Sequence, residues 1–97
     1  MYYIVLCTDK PGSGQVRADN RPEHIEFLKA AGDSIKLGGA TLADDGETPN
    51  GSFLMVEGDS LEEVKAWAAG DPFAKAGLFE SVEVRPWRYV LGDGPTK

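Results

Sequence analysis

SIKLGGATLADDGETPNGSFLMVEGDSLEEVKAWAAG, residues 34–70, decides the fold. Ser34–Ala43 reads as a strand interrupted by Gly38-Gly39. Glycines inside a strand point to a bulge, or to a place where another group comes close to the backbone. DDGETPNG, residues 44–51, is rich in turn formers and reads as a hairpin tip. SFLMVE, residues 52–57, reads as the partner strand. Ser60-Leu61-Glu62-Glu63 is an S-x-x-E capping box and opens a helix. That helix carries the stripe Leu61, Val64, Trp67 and Ala68 and stops at Gly70. The centre of the chain is therefore strand, strand, helix.

Working outward, Tyr2–Cys7 is β-branched and aromatic at both alternating positions, as suits a central strand buried on both sides. TDKPGSGQVRADN, residues 8–20, reads as a long polar loop, a kind that is often functional. A helix follows, with Pro22 at its first position and Gly32 at its stop. Its apolar positions are Ile25, Phe27, Leu28 and Ala31. Beyond residue 70, DPFAKAG reads as a short helical turn. Glu80–Val90 reads as the last strand, with Val82 and Val84 on one face and Glu83, Arg85 and Trp87 on the other.

The order βαββαβ is the ferredoxin-like pattern of the α+β class: a four-stranded antiparallel sheet with two helices on one face. One domain spans residues 1–91, and GDGPTK, residues 92–97, reads as a flexible tail. Phe53, Met55, Trp87 and one side of the first strand are expected on the other, uncovered face. Large apolar side chains there need a cover. A second copy related by a twofold axis supplies one, so a homodimer is expected.

The 97 residues carry a formal net charge of −6 and a pI of about 4.6. A nucleic-acid binder needs a concentrated basic surface, and adhesion to an anionic membrane needs the same. The charge argues against both partners. Cys7 is the only cysteine, so no internal disulfide forms and nothing demands an oxidising compartment. The N-terminus lacks a basic region, and no apolar run approaches the roughly 20 residues of a membrane span. These features point to a cytoplasmic protein.

His24 is the only histidine. Positions 24, 27, 28 and 31 share a helix face, so His24 extends the apolar stripe toward the sheet, at what reads as the N-terminal end of its helix. It is either a half-buried structural histidine or a general acid/base held by a carboxylate. Asp71 is the best-placed carboxylate. It is also the N-cap of Asp71-Pro72 with Gly77 closing the turn, and two oxygens allow both roles. Arg17 and Arg21 precede the helix and either bind an anionic substrate or pair with nearby carboxylates such as Asp9. Cys7 reads as a packed thiol rather than a nucleophile. PGSG lacks the lysine of a phosphate loop, DDGE lacks calcium-loop spacing, and one histidine with one cysteine makes no ordinary zinc site. No metal and no cofactor is expected.

MYYIVLCTDKPGS, RPEHIEFL, LEEVKAWAAGDPF and AGLFESVEVRPW, in that order and spacing, resemble the YCII-related (YciI-like) family across nearly the whole chain. The resemblance implies a ferredoxin-like domain, a dimeric α/β barrel, and a histidine–aspartate pair in a cleft. Carried onto this sequence, the pair is His24 and Asp71. The family includes a relative that removes chloride from a chlorinated hydroxyquinone. The sequence departs from the family at Gly39-Ala40, where Gly-Pro is expected, in the strand-two wall.

The expected function is proton-transfer catalysis of a lyase- or isomerase-like reaction, such as elimination, on a small anionic or cyclic metabolite. His24 and Asp71 are the expected catalytic residues. Asp9, Arg17, Arg21, Gly39, Phe73, Phe79 and Trp87 are the expected substrate-binding residues. The alternative is a non-catalytic dimeric module that binds a small molecule or supports a partner.

Overall fold

The computed structural model describes residues 1–94. The elements are β1 (Tyr2–Asp9), α1 (Gly14–Ala30), β2 (Ile35–Leu42), β3 (Pro49–Glu57), α2 (Leu61–Ala69), α3 (Pro72–Lys75) and β4 (Phe79–Trp87). They form one antiparallel sheet in the order β2-β3-β1-β4. This is the ferredoxin-like α+β fold. Of the expected tail, residues 92–94 carry no helix or strand, and residues 95–97 lie outside the described residues.

The strand alternation sorts side chains between two faces. Tyr3, Val5 and Cys7 of β1 meet Leu54 and Val56 of β3, and Val64 and Ala68 of α2, in the core. Tyr2, Ile4 and Leu6 point the other way, opposite Glu57, Met55 and Phe53 on one side and Trp87, Arg85 and Glu83 on the other. They are half-buried, not sealed, so β1 is central but deeply buried on one side only. The reason is that both long helices cover the same face. Tyr2 and Trp87 pack ring against ring on the bare side, 6.3 Å apart.

The long loop before the first helix is not there. α1 begins at Gly14, so Gln15–Asn20 are helical and Pro22 lies inside the helix rather than at its start. Gln15, Arg17 and Ala18 are good helix formers. Pro22 lacks an N–H and forfeits one helical bond, normally a cost of about 3 kcal/mol or more. Here both Pro22 and Ala18, whose carbonyl loses its donor, are exposed to water. The helix ends as the sequence implied, with Gly32 at φ +57 just past the Ala31 cap.

Smaller boundary shifts have similar local causes. β3 starts at Pro49, because the tip is tight: the Asp45 carboxylate accepts from the amides of Glu47 and Thr48. β4 ends at Trp87, opposite Tyr2, because β1 offers no further partner. The β2 irregularities fall between Ile35 and Leu37 and between Thr41 and Leu42, not at the glycines. Gly38 instead fits the close-approach reading, since a Cβ there would stand 2.5 Å from Leu54 Cδ2. Ser60 caps α2 by accepting from the Glu63 amide, 3.1 Å.

Candidate active site

A gap lies between α1 and the strands β2 and β3. The strands contribute small groups there, namely Gly38, Gly39, Ala40 and Ser52. The result is a cavity of about 470 Å³, walled on the helix side by Arg17, Arg21, His24, Ile25, Leu28 and Lys29. That volume suits a small organic ligand. Arg17, Arg21 and His24 are spaced by four and three residues, so the longer helix puts them on one face. His24 stands well inside α1, and the helix dipole, felt within the first turn, does not act on it.

His24 is 7% exposed and Asp71 5%. His24 Nδ1–H donates to Asp71 Oδ1 at 2.8 Å, with Oδ2 at 3.1 Å. A carboxylate at Nδ1 fixes the neutral ring as the Nδ1–H tautomer and leaves the Nε2 lone pair free. Asp71 Oδ1 also accepts from the Phe73 amide at 2.9 Å. The cap and the histidine partner are thus one carboxylate doing both jobs. Among the described residues Nε2 bonds no protein group, and no fully buried side-chain nitrogen or oxygen is left without a partner. Nε2 therefore opens onto the cavity.

The Phe73 ring stacks on the imidazole, centroids 3.9 Å apart and planes within 13°. Phe73 is fully buried. Phe79 supports it edge-on from behind, at 6.1 Å, and does not line the cavity. The Arg17 guanidinium lies 4.9 Å from the Phe73 centroid. Arg17 is clamped: Nε and Nη2 reach the two Asp9 oxygens at 2.8 and 3.1 Å, and Nη2 also reaches the Gly51 carbonyl at 3.0 Å. Asp9 thus holds Arg17 instead of facing a ligand. Arg21 makes no recorded bond among the described residues and lines the cavity freely.

Two other expected residues bring no side chain to the cavity. Trp87 is on the bare face with Tyr2, across the sheet from His24. Gly39 walls the cavity with backbone only. It pairs with Phe53, so its missing side chain would point to the bare face, where nothing stands within 4 Å. Cys7 is packed in the core, and burial, with the Asp71 and Asp9 charges adding to it, pushes its thiol up to about 12. It is protonated and no nucleophile. Among the described residues no three His, Cys, Asp or Glu side chains cluster to hold a metal ion.

Sequence reading missed Ser52 and Lys29. Ser52 was findable: Phe53 and Met55 on the bare face put Ser52, Leu54 and Val56 on the helix face. Among the described residues no helix is long and apolar enough to cross a membrane.

Known proteins share this architecture. The family model for the YCII-related domain matches residues 1–88. Protein YciI of Escherichia coli is 35% identical over 98 residues, covering 94% of this chain and all of its own. A Haemophilus influenzae protein of uncharacterised function is 32% identical over the same shares. The solved 5-chloro-2-hydroxyhydroquinone dehydrochlorinase of Burkholderia phenoliruptrix, in complex with 2,5-dihydroxybenzoquinone, superposes with a TM-score of 0.85. It is 38% identical and covers 93% of this chain and 96% of its own. An antibiotic biosynthesis monooxygenase shares the backbone fold, with a TM-score of 0.56 at 11% identity over 93% of this chain and 98% of its own.

Proposed function

The chain belongs to the YCII-related domain family, and from that premise we propose that it is a small acid–base enzyme. It eliminates an anionic leaving group from a small, flat, oxygenated metabolite. The observation that carries this reading is the buried His24–Asp71 bond of 2.8 Å, with the free Nε2 opening onto a cavity.

In the reaction, Nε2 takes a proton from the substrate. The electron pair left behind forms the new double bond, and the leaving group departs with its own bonding pair. The net change is loss of HX from one molecule. It is redox-balanced and calls for no external oxidant or cofactor. Asp71 holds the imidazole in the right tautomer and stabilises the imidazolium, as carboxylates do for catalytic histidines. Arg21 binds the substrate's anionic oxygen, and Arg17, its charge balanced by the Asp9 carboxylate, forms the fixed wall beside it. Arg21 and Lys29, neither of them ion-paired among the described residues, line the cavity within a chain of net charge −6. That local reversal of sign favours an anion. The dehydrochlorinase supports the reaction class, since it shares the fold at 38% identity and its name describes an elimination.

Two further expectations belong to the same proposal. A second copy covers the bare sheet face, making a homodimer, and the protein works in the cytoplasm, where a lone protonated thiol is stable.

The test is chloride release from 5-chloro-2-hydroxyhydroquinone and related halogenated hydroxyquinols. His24→Gln should lower the rate by about 10²–10⁴-fold while remaining folded. Equal rates in wild type and His24→Gln would sink the catalytic reading. Binding of 2,5-dihydroxybenzoquinone without turnover of any substrate would favour the binding module instead.

A further inference from the structure

Ser52 is buried in the sheet wall of the cavity, only 5% exposed, and polar. Among the described residues its hydroxyl has no hydrogen-bond partner. No fully buried polar side-chain atom lacks one either. The Ser52 Oγ therefore meets open space, and the space in front of it is the cavity. A serine at a core-facing position normally bonds a backbone carbonyl or gives way to an apolar residue, because an unpaired buried hydroxyl is costly. This one faces the cavity, where a ligand atom can reach it. Its register also places it well. Ser52 follows Gly51, whose carbonyl anchors Arg17, and it faces Ala40 across the ladder, where no large side chain crowds it.

We propose that Ser52 is a substrate-contacting residue, donating from the sheet wall to one oxygen of the ligand while His24 and Arg21 engage others from the helix wall. This rests on the reading given under Proposed function and narrows the substrate class. The cavity then offers an acceptor at His24 Nε2, a cationic donor at Arg21 and a neutral donor at Ser52. A ligand matching all three carries an acidic hydroxyl, an oxyanion and a further ring oxygen. Hydroxyquinols and hydroxyquinones have that pattern. A flat ring also suits the shallow floor formed by Gly38, Ala40 and Ser52.

The experiment uses 2,5-dihydroxybenzoquinone as the binding probe and a chlorinated hydroxyquinol as the substrate, with wild type, Ser52→Ala, Ser52→Thr and His24→Gln. Ser52→Ala should bind the probe about tenfold more weakly, as expected for loss of one hydrogen bond. Its KM should rise by a similar factor with kcat less affected. Ser52→Thr, which keeps the hydroxyl, should recover most of the loss. The unfolding midpoint of Ser52→Ala should not fall, because no protein bond is removed. A lower midpoint with unchanged probe affinity would make Ser52 structural and overturn the inference. Unchanged affinity in Ser52→Ala beside a rate lost in His24→Gln would also overturn it, while leaving the enzyme reading intact. Weaker binding in Ser52→Ala with no turnover by wild type would support the contact and overturn the enzyme. Failure of wild type to bind the probe would overturn both.

Discussion

Replacing Asp71 by Asn separates the two jobs of one carboxylate. Asparagine is as good an N-cap as aspartate, so the bond from the Phe73 amide survives. The bond from His24 Nδ1 loses its charged acceptor. Both short contacts converge on Oδ1, at 2.8 and 2.9 Å, while Nδ1 also lies 3.1 Å from Oδ2. An amide placed there must put its NH2 near the Nδ1–H or give up the cap. With both residues more than nine-tenths buried, water does not repair the loss. A hydrogen bond to a charged group is worth about 1.5–3 kcal/mol, so Asp71→Asn should lose that much stability. Asp71→Ala should lose the cap as well, for a total of roughly 2–5 kcal/mol. Urea unfolding measures both, with an unchanged denaturant slope as the check on two-state behaviour. Nitrogen chemical shifts of the His24 ring measure the consequence. The wild type should show the Nδ1–H tautomer, and Asp71→Asn a mixture or the other form. Elimination activity should fall in parallel with tautomer purity. If Asp71→Asn unfolds at the wild-type urea concentration with the ring tautomer unchanged, the carboxylate does not orient His24 and the mechanism fails.

Other outcomes follow from specific contacts. The Asp45 carboxyl is held down at about 2, against an ordinary 3.8, by the Thr48 hydroxyl and then the Thr48 and Glu47 amides. Its contribution to stability is thus present above about pH 3.8 and lost as pH falls through about 2. Amide exchange at Thr48 should show that window, and Asp45→Ala should abolish it. Cys7, pushed up to about 12 by burial and the nearby carboxylates, should resist iodoacetamide at pH 8 in the native protein and react freely in denaturant. Arg17→Lys should cost about 1–3 kcal/mol in thermal unfolding, because an ammonium cannot span both Asp9 oxygens and the Gly51 carbonyl. Phe53→Glu, on the bare face, should convert a dimer to a monomer in sedimentation equilibrium; a monomeric wild type would remove that proposal.

The element order could be written down from sequence because its signals are local. Ser60 and Glu63 mark a helix start through one amide, Asp71 and Gly77 bracket a single turn, and alternation around Phe53 assigns faces over a few residues. The start of α1 could not. Pro22 is a local signal for a helix beginning, but its cost is only a carbonyl on the wet side of the helix, and water absorbs it. The site follows the same division. His24 and Asp71 were legible as a candidate histidine and its carboxylate, since capping and pairing need only two oxygens. Their distance was not, because they stand 47 residues apart and meet only where α1 passes α3. Which arginine is clamped and which is free depends on Asp9 and Gly51, brought together by β1, β3 and α1. Trp87 and Ser52 exchanged importance for a like reason. A strand residue's chemistry is written in the sequence, but whether it faces a helix, a cavity or the bare side of the sheet is set by what packs against each face.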